Sequence, residues 1–562
     1  MKIKAIFDNP EDLNLYNYLN ACGIDNVYEF MNVDENSLVP SENYANIGEA
    51  YAVFNSMTKD DTIYIVQDSD VDGICSASIL YHFFEQCGLK PVVLFHQGKQ
   101  HGLYKEIMEQ IAPNSYVWLP DAGSNNVKES QTLAENNVKV VCLDHHQYEP
   151  DKFNPAIIVN NQYGDVNHFH CGAVTTLKFV EYAMDAEIIL GIEHAKEVKS
   201  TYLHYYYTLA SIGNIGDAMM MNIYENKYIN DIGLNDIEPS FIADMIKEYC
   251  KHEGNYITPT EVSWNIAPKL NAVCRQKDIT IKQQLFNQFV NYKPLQSKSV
   301  IKQLGSCHNA QTYQTKKMME TYQKQIHEQR KDNLVILFAE EYNLYNGLIA
   351  NKICSNIGKP VLVVTQDDNG YCFGSARSPV DLRSDFVDSG LFSLAQGHER
   401  AFGVGFNYDN IQDIKTAFAN VETIPEVEVM YSCDVEHIPL NLFDEFTNHD
   451  NLWGRGIETP IIHIQPFTMN ARDIDTLGRY GTTITFNNKS DTVTFNKNFV
   501  SKVQREEWCV GENQQIQIEL IGQPVLYTTP MGKTYRQIAI KEIEITPIKI
   551  DKTIEYLLED FF

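Results

Sequence analysis

Residues 62–73 read TIYIVQDSDVDG. The first six are β-branched or apolar without alternation, the pattern of a strand buried on both faces. The run ends in Asp68-Ser69-Asp70-Val71-Asp72-Gly73, and from Gly73 to Cys87 the residues Ile74, Ala77, Tyr81 and Phe84 return at helical spacing. Strand, acidic turn and helix make the opening of a βαβ unit. The same grammar repeats outward. Pro91–Phe95, Ser115–Leu119, Val138–Leu143 and Ala156–Val159 read as further strands, with helical patterns at Val127–Asn136 and Gly172–Met184. Buried strands separated by helices predict an α/β fold with a doubly wound parallel sheet over residues 1–230.

Residues 231–330 read as a helical connector. Its end, Asn309–Arg330, is polar and free of Gly and Pro, as expected of one long helix bridging two domains. Residues 331–420 read as a smaller α/β unit, with strand Asn333–Phe338, helix Leu344–Ile357 and strand Pro360–Thr365. Residues 421–562 begin as an acidic linker and pass, from Pro460, into short alternating strands of a small β domain.

Composition narrows the function. Among 562 residues, 45 Lys and Arg face 74 Asp and Glu, a net charge of −29. That argues against a general polyanion-coating protein, though a local basic groove on an acidic body is still compatible with a nucleic-acid enzyme. No apolar run approaches the roughly 20 residues of a spanning helix, and the N-terminus lacks a signal-peptide pattern. A cytoplasmic protein is expected. The 12 cysteines are dispersed without a CxxC pair, so neither a disulfide framework nor a structural zinc site is expected.

The chemistry sits at segment ends. Thr62–Gln67 runs into Asp68, Asp70 and Asp72, Ser115–Leu119 into Asp121, and Val138–Leu143 into Asp144-His145-His146. Tyr207–Ile215 runs into Asp217. One Asp in such a place is usually a helix N-cap. Four such ends converge, because the crevice of an open parallel sheet lies beyond the carboxyl ends of its strands. Crowded carboxylates repel unless cations neutralise them, and oxygen with imidazole donors suits two Mn²⁺ or Mg²⁺ ions. Asp68–Gly73 also has the opening of an EF-hand loop, but Ile79 stands where that loop needs its Glu and a strand precedes it.

Asp68–Gly73, Asp121-Ala122-Gly123-Ser124, Asp144-His145-His146 and Gly213–Asp217 resemble the four ordered motifs of the DHH phosphoesterases. Pro268–Arg275, Gly374-Ser375-Ala376-Arg377-Ser378, Gln396–Gly403 and Leu452–Pro460 resemble segments of the RecJ-like branch, the single-stranded-DNA-specific exonucleases. The resemblance covers about residues 60–520 in order. It implies a DHH domain, a long connecting helix, a DHH-associated domain and a C-terminal OB-like β domain. Asp68, Asp70, Asp72, Asp121, His145 and Asp217 are implied as metal ligands, with Asp121 bridging the two ions; which of the first three bind stays open. Asp144 is implied to support His145, and His146 to touch the scissile phosphate or act as acid. Arg275 and Arg377 would grip phosphate, while Asn271, Ser375, Gly397 and His398 would touch the nucleotide. In the β domain, Phe467, Tyr480, Phe486 and Phe495 are stacking candidates, with Arg472, Arg479, Lys489 and Lys497 for phosphates. The sequence departs from the family pattern at His96, where an Arg is usual, and at Asn214, Cys274 and Gln396.

The expected activity is two-metal hydrolysis of single-stranded DNA from an end, 5′ to 3′, releasing mononucleotides. DNA is expected before RNA, and a single-strand-binding protein or helicase is the candidate protein partner. Two alternatives stand beside it: a phosphodiesterase for short oligonucleotides or cyclic dinucleotides, and a non-catalytic DHH-like replication scaffold.

Overall fold

The computed structural model describes residues 2–148, 153–340, 345–421, 426–477, 483–487, 492–498, 500, 515–529 and 532–548. The chain divides into two compact units, Phe30–Pro425 and Met1–Glu29 with Glu426–Phe562.

The first unit is built on β1 (Ile63–Gln67), α1 (Val71–Gln86), β2 (Val92–Phe95), β3 (Tyr116–Pro120), β4 (Lys139–Asp144) and β5 (Ile157–Asn160). The strands are parallel in the order β2-β1-β3-β4-β5. Every residue of β1 is buried, as its unbroken apolar run requires. The chain leaves β1 on one side for β2 and returns on the other as β3. That reversal is the switch point where an α/β sheet opens its crevice, and it lies between the strands that end in Asp68 and Asp121. Both faces are covered. On one, Trp118 of β3 lies 5.1 Å from the rings of Phe84 and Phe179, carried by α1 and α2 (Gly172–Ile189). On the other, Val117, Leu119, Val140 and Ile158 pack with Leu94, Ile107 and Leu133.

Helix α3 (Glu193–Gly216) corrects one expectation. Tyr207–Ile215 is the last part of a 24-residue helix, so Asp217 stands at a helix C-terminus and not at the end of a strand or turn. After α4 (Ala267–Cys274), the long connecting helix is α5 (Pro294–Thr321), followed by a short helix Gln323–Glu328. It starts at Pro294, whose fixed φ suits a first turn, and not at Asn309. The smaller sheet comprises β6 (Val335–Ala339), β7 (Val361–Gln366), β8 (Tyr371–Arg377), β9 (Leu394–His398) and β10 (Ala401–Asn407), with α6 (Asn346–Ile357) between β6 and β7. Its order is β9-β10-β8-β7-β6, with only β6 and β7 parallel.

In the other unit, strand Ile3–Ala5 pairs in parallel with Val427–Val429. The stretch read as an acidic linker thus carries strands Val427–Val429 and Tyr431–Cys433 and helix Asn441–Thr447. Beyond it, Ile462–Asn470, Gln515–Thr528 and Thr534–Pro547 lie in one seven-stranded mixed sheet. Phe486 and Phe495 are 3% and 0% exposed and stack on each other at 4.9 Å, so they are core residues and not base platforms. Phe467 leans on the same pair at 6.3 Å from each ring. Lys497 donates to the Lys541 carbonyl at 2.6 Å. Arg479, Tyr480 and Lys489 lie outside the described residues.

One buried ion pair ties α2 to the loop before the sheet. Lys178 and Glu225 are 1% and 2% exposed and 2.6 Å apart. Lys178 donates to the Val39 carbonyl at 2.8 Å, and Glu225 accepts the Val39 N–H at 2.8 Å. Glu225→Ala leaves a buried ammonium uncompensated. It should destabilise the unit by about 3–5 kcal/mol, read as a lowered urea midpoint; an unchanged midpoint would show the pair to be dispensable.

Candidate metal centre

The acidic turn after β1 is also the start of α1. Asp70 caps that helix, its Oδ1 accepting the Gly73 N–H at 3.1 Å. Asp72, inside the first turn, accepts the N–H groups of Gly172 and Ala173 at 2.7 and 2.8 Å. The N-terminus of α2 is therefore aimed at a buried carboxylate, where its partial positive charge is favourable. Asp68 turns to His101, with Nδ1 and Oδ2 2.6 Å apart. Asp121 follows β3 in a left-handed conformation, φ 66°, with its N–H on the Leu143 carbonyl at 2.8 Å. Asp tolerates that region better than most residues.

His145, at the end of β4, joins these pieces. Its Nε2 lies 3.2 Å from Asp121 Oδ1, 3.6 Å from Asp217 Oδ2 and 3.7 Å from Asp72 Oδ2. Three sets of donor atoms are drawn close together: Asp68, Asp70 and Asp121; Asp121, His145 and His146; and Asp72, His145 and Asp217. Asp121 and His145 are each shared by two sets. Asp144 meets His145 at its backbone N–H and His146 at its ring. Its Oδ1 accepts the backbone N–H groups of His145 and His146 and meets the His146 Nδ1 at 2.8 Å, while Oδ2 accepts the Ser124 N–H at 3.0 Å. The half-exposed His146 ring is the one it orients.

Glycine makes this crowding possible. A Cβ on Gly172 would lie 2.6 Å from the Asp121 Cβ, and one on Gly213 2.7 Å from Asp72 Oδ1. Neither separation is one that real atoms adopt. The helices α2 and α3 reach the acids because they carry no side chain at those two points.

The electrostatics fit a cation. Burial pushes Asp121 well above the usual carboxylate range, and Asp72, Asp70, Asp68 and Asp217 add to the rise. Burial raises Asp68 too, with His101 opposing. For Asp70, His101, the Gly73 N–H and Arg275 outweigh burial and hold it low. Burial and the neighbouring His146 lower His145 and so favour the neutral, ligating imidazole. Against burial, Asp144 holds His146 up at about 10. Oδ1 of Asp68 and Oδ1 of Asp121 are buried without hydrogen-bond partners. Orphaned carboxylate oxygens beside imidazole are the donor set of a hard divalent cation.

A cationic wall faces the acids. Lys99, on the loop after β2, is pulled down by desolvation and by Arg275, against the pull of Asp70, and senses Arg377 as well. Arg377 is lowered by burial, with Arg275 nearby. Buried polar atoms of Asn271 (Oδ1) and Arg275 (Nε) also lack partners. Ser375 and Arg377 lie on one face of β8, over Gly347 in the first turn of α6. Gly397 is on β9 with φ 136°; the side chain of His398 lies outside the described residues.

The sequence reading does not single out His101 and Lys99. Their signal is present in it, since Pro91–Phe95 also ends at the crevice and runs into His96-Gln-Gly-Lys-Gln-His. His96 itself is buried at 1% exposure, and burial with Lys282 nearby lowers it to about 4. Lys282 donates to the His96 carbonyl at 2.6 Å, and the Gly98 N–H donates to the Gln276 carbonyl at 3.1 Å. These bonds hold the loop so that Lys99 and His101 are on the site.

Residues 62–208 match the model of the DHH family, N-terminal domain. The chain is similar to a prophage-derived protein of Bacillus subtilis (strain 168) whose name proposes a single-strand DNA-specific exonuclease, YorK. Identity is 24% over 601 residues, covering 98% of this chain and 99% of the relative. It is also similar to the single-stranded-DNA-specific exonuclease RecJ of the same organism, 22% identical over 88% of this chain and 62% of that protein. The crystal structure of RecJ with Mn²⁺ from Thermus thermophilus shares the fold, with a TM-score of 0.68, 18% identity and coverage of 91% of this chain and 73% of that one.

The raised Asp121 gives a signed prediction. A carboxyl whose folded value lies above its unfolded one loses stability as pH rises from its unfolded value near 4 through its folded one. In chelator at pH 7, Asp121→Asn should therefore raise the unfolding temperature, while cancelling most of the stabilisation that Mn²⁺ confers on the native sequence. Differential scanning calorimetry with and without Mn²⁺ reads both effects. A mutant destabilised in chelator yet still stabilised by Mn²⁺ would contradict the assignment.

Proposed function

We propose that this protein is a metal-dependent exonuclease that hydrolyses single-stranded DNA. The observation that carries the reading is the sharing of Asp121 and His145 among three sets of cation donors, opposite Lys99, Arg275 and Arg377. The names of its RecJ and YorK relatives support the substrate, and the DHH domain supports the reaction class.

In this reading, Asp68, Asp70, Asp72, Asp121, His145 and Asp217 hold two Mn²⁺ or Mg²⁺ ions. Such a pair, if bound there, would supply Lewis-acid charge and a water of lowered pKa. The protein's own groups do the rest. Asp144 fixes the His146 ring by its Nδ1, leaving Nε2 to face the phosphate or to give a proton to the leaving oxygen. Arg275 and Arg377 hold phosphate oxygens and oppose the charge that builds on them. Lys99 occupies the side of the cleft where His96, which is buried, cannot serve. Ser375, Gly397 and Asn271 would line the nucleotide position, and His398, whose side chain lies outside the described residues, is kept as a candidate beside them.

A cavity of about 480 Å³ adjoins this wall, lined by Gly216, Asn271, Arg275, Gln311 and Lys352 among others. Its size falls in the range of small-ligand pockets, which suits a nucleotide from one strand more than a duplex. Segments 30–230, 231–330 and 331–420 would serve metal binding, connection and nucleotide contact, and the β domain strand tracking; residues 1–29, expected in the first segment, belong instead to the unit of Glu426–Phe562. The reading also keeps 5′ to 3′ polarity and a cytoplasmic location. Among the described residues no helix is long and apolar enough to cross a membrane.

End-labelled single-stranded DNA incubated with Mn²⁺, beside a duplex, single-stranded RNA and a cyclic dinucleotide, tests the proposal. Mononucleotides should appear from single-stranded DNA alone, the 5′ label leaving first, and His145→Ala should abolish them. Arg275→Ala should lower kcat about 10²–10³-fold, the scale of losing one contact to transition-state charge. Cleavage of the cyclic dinucleotide with DNA left intact would overturn the exonuclease reading in favour of a small-substrate phosphodiesterase. No cleavage of any substrate would favour a scaffold.

A further inference from the structure

We propose a second metal site in the helical connector, at Cys250, His252 and Glu261, that takes one zinc ion. It is separate from the carboxylate centre in its residues and in its chemistry.

The three side chains come from one short stretch of chain. Cys250 caps helix Phe241–Tyr249, His252 follows it, and Glu261 closes the short helix Pro259–Glu261. A thiol sulfur, an imidazole nitrogen and a carboxylate oxygen from these residues all lie within 4.8 Å of one another. The Gly254 N–H approaches the other nitrogen of the His252 ring, Nδ1, at 3.4 Å, so binding through Nε2 requires the ring proton to move off Nε2. Glu261 divides its oxygens: Oε2 accepts the Thr258 N–H at 3.0 Å and its hydroxyl at 3.1 Å, while Oε1 faces His252 Nε2 at 3.3 Å. That Nε2 is buried yet makes no hydrogen bond, so the approach to Glu261 is not aligned for one. A spacing of this size between two donors is what a shared ion with bonds of about 2.0–2.2 Å produces. The His252 ring is held flat against Tyr256, centroids 4.4 Å apart and planes at 13°.

The sulfur has a supporting environment. Asn265 Nδ2 donates to Cys250 Sγ at 3.9 Å, and the Asn265 carbonyl accepts from Lys269 Nζ at 2.6 Å. A cation between the donors would take the Cys250 sulfur as its thiolate. One sulfur, one nitrogen and one oxygen suit zinc far better than Mn²⁺ or Mg²⁺, which the all-carboxylate and imidazole centre would take. His252 and Glu261 are 20% and 23% exposed, and a fourth ligand would have to be a water, since three side chains supply the rest.

The position gives the site a purpose. Directly after Glu261 the chain makes a π-helical turn, Val262–Ile266, and enters α4, which carries Asn271 and Arg275. Such turns are costly in isolation and cluster at functional places. A metal clasp at Glu261 fixes the entry to the helix that presents Arg275.

Cobalt substitution distinguishes this site from the carboxylate centre. Full-length protein loaded with Co²⁺ should show a near-ultraviolet sulfur-to-cobalt charge-transfer band, which oxygen and nitrogen ligands do not give. The band should disappear in Cys250→Ser, weaken or shift in His252→Gln, and persist in Asp121→Asn. Addition of one equivalent of Zn²⁺ should bleach it. Absence of the band from the native chain, or its survival in Cys250→Ser with unchanged far-ultraviolet circular dichroism, would overturn the proposal and leave the three residues as a hydrogen-bonded helix cap.

Discussion

Mutual repulsion among buried carboxylates is the constraint on which the parallel-sheet domain turns. Asp68, Asp72 and Asp121 are each no more than 2% exposed, and Asp121 feels four other acids. A hydrophobic core gains nothing from such a cluster; each unpaired buried charge costs several kcal/mol. The surrounding fold offsets only part of this. The N-terminus of α2 serves Asp72, the Gly73 N–H serves Asp70, and His101 serves Asp68. Asp121 faces His145 Nε2 at 3.2 Å with no aligned hydrogen bond to its Oδ1. This uncompensated crowding is what suits the place to a cation.

The architecture follows from delivering those acids to one point. β1 and β3 are neighbours at the switch point, so the turns behind them meet. β4 adds His145 from the next position. Asp217 comes from elsewhere: it ends α3, where the helix's own C-terminal carbonyls make an acid unfavourable. An acid placed against the helix dipole and within 3.6 Å of His145 is there for the site and not for the helix. Gly172 and Gly213 let both helices approach, and no alanine could stand in either place without displacing a carboxylate.

Much of this was legible in the chain. TIYIVQ and VKVVCL are apolar without a break, which only a doubly covered strand allows, and their acidic ends had to share one edge of the sheet. Asp70, Asp72, Asp121 and His145 followed. What could not be read depended on contacts distant in sequence. The partner of Asp144 is set by which His ring turns back to it, and that is a matter of rotamer. The segment Ile3–Ala5 is too short to show a period, and it is defined by Val427–Val429, more than 400 residues away. The alternating aromatics Phe486 and Phe495 face inward because their rings stack, which strand periodicity alone does not reveal. Cys250, His252 and Glu261 escape a search for paired cysteines, because Glu261 reaches the other two only through the fold of the loop between them.

The most direct test is an anomalous diffraction measurement on crystals of the native chain grown with Mn²⁺. The account predicts two manganese peaks about 3.5–4 Å apart at the end of the parallel sheet, with Asp121 between them and His145 on one. A single peak, or two peaks that share no Asp121 oxygen, would contradict it.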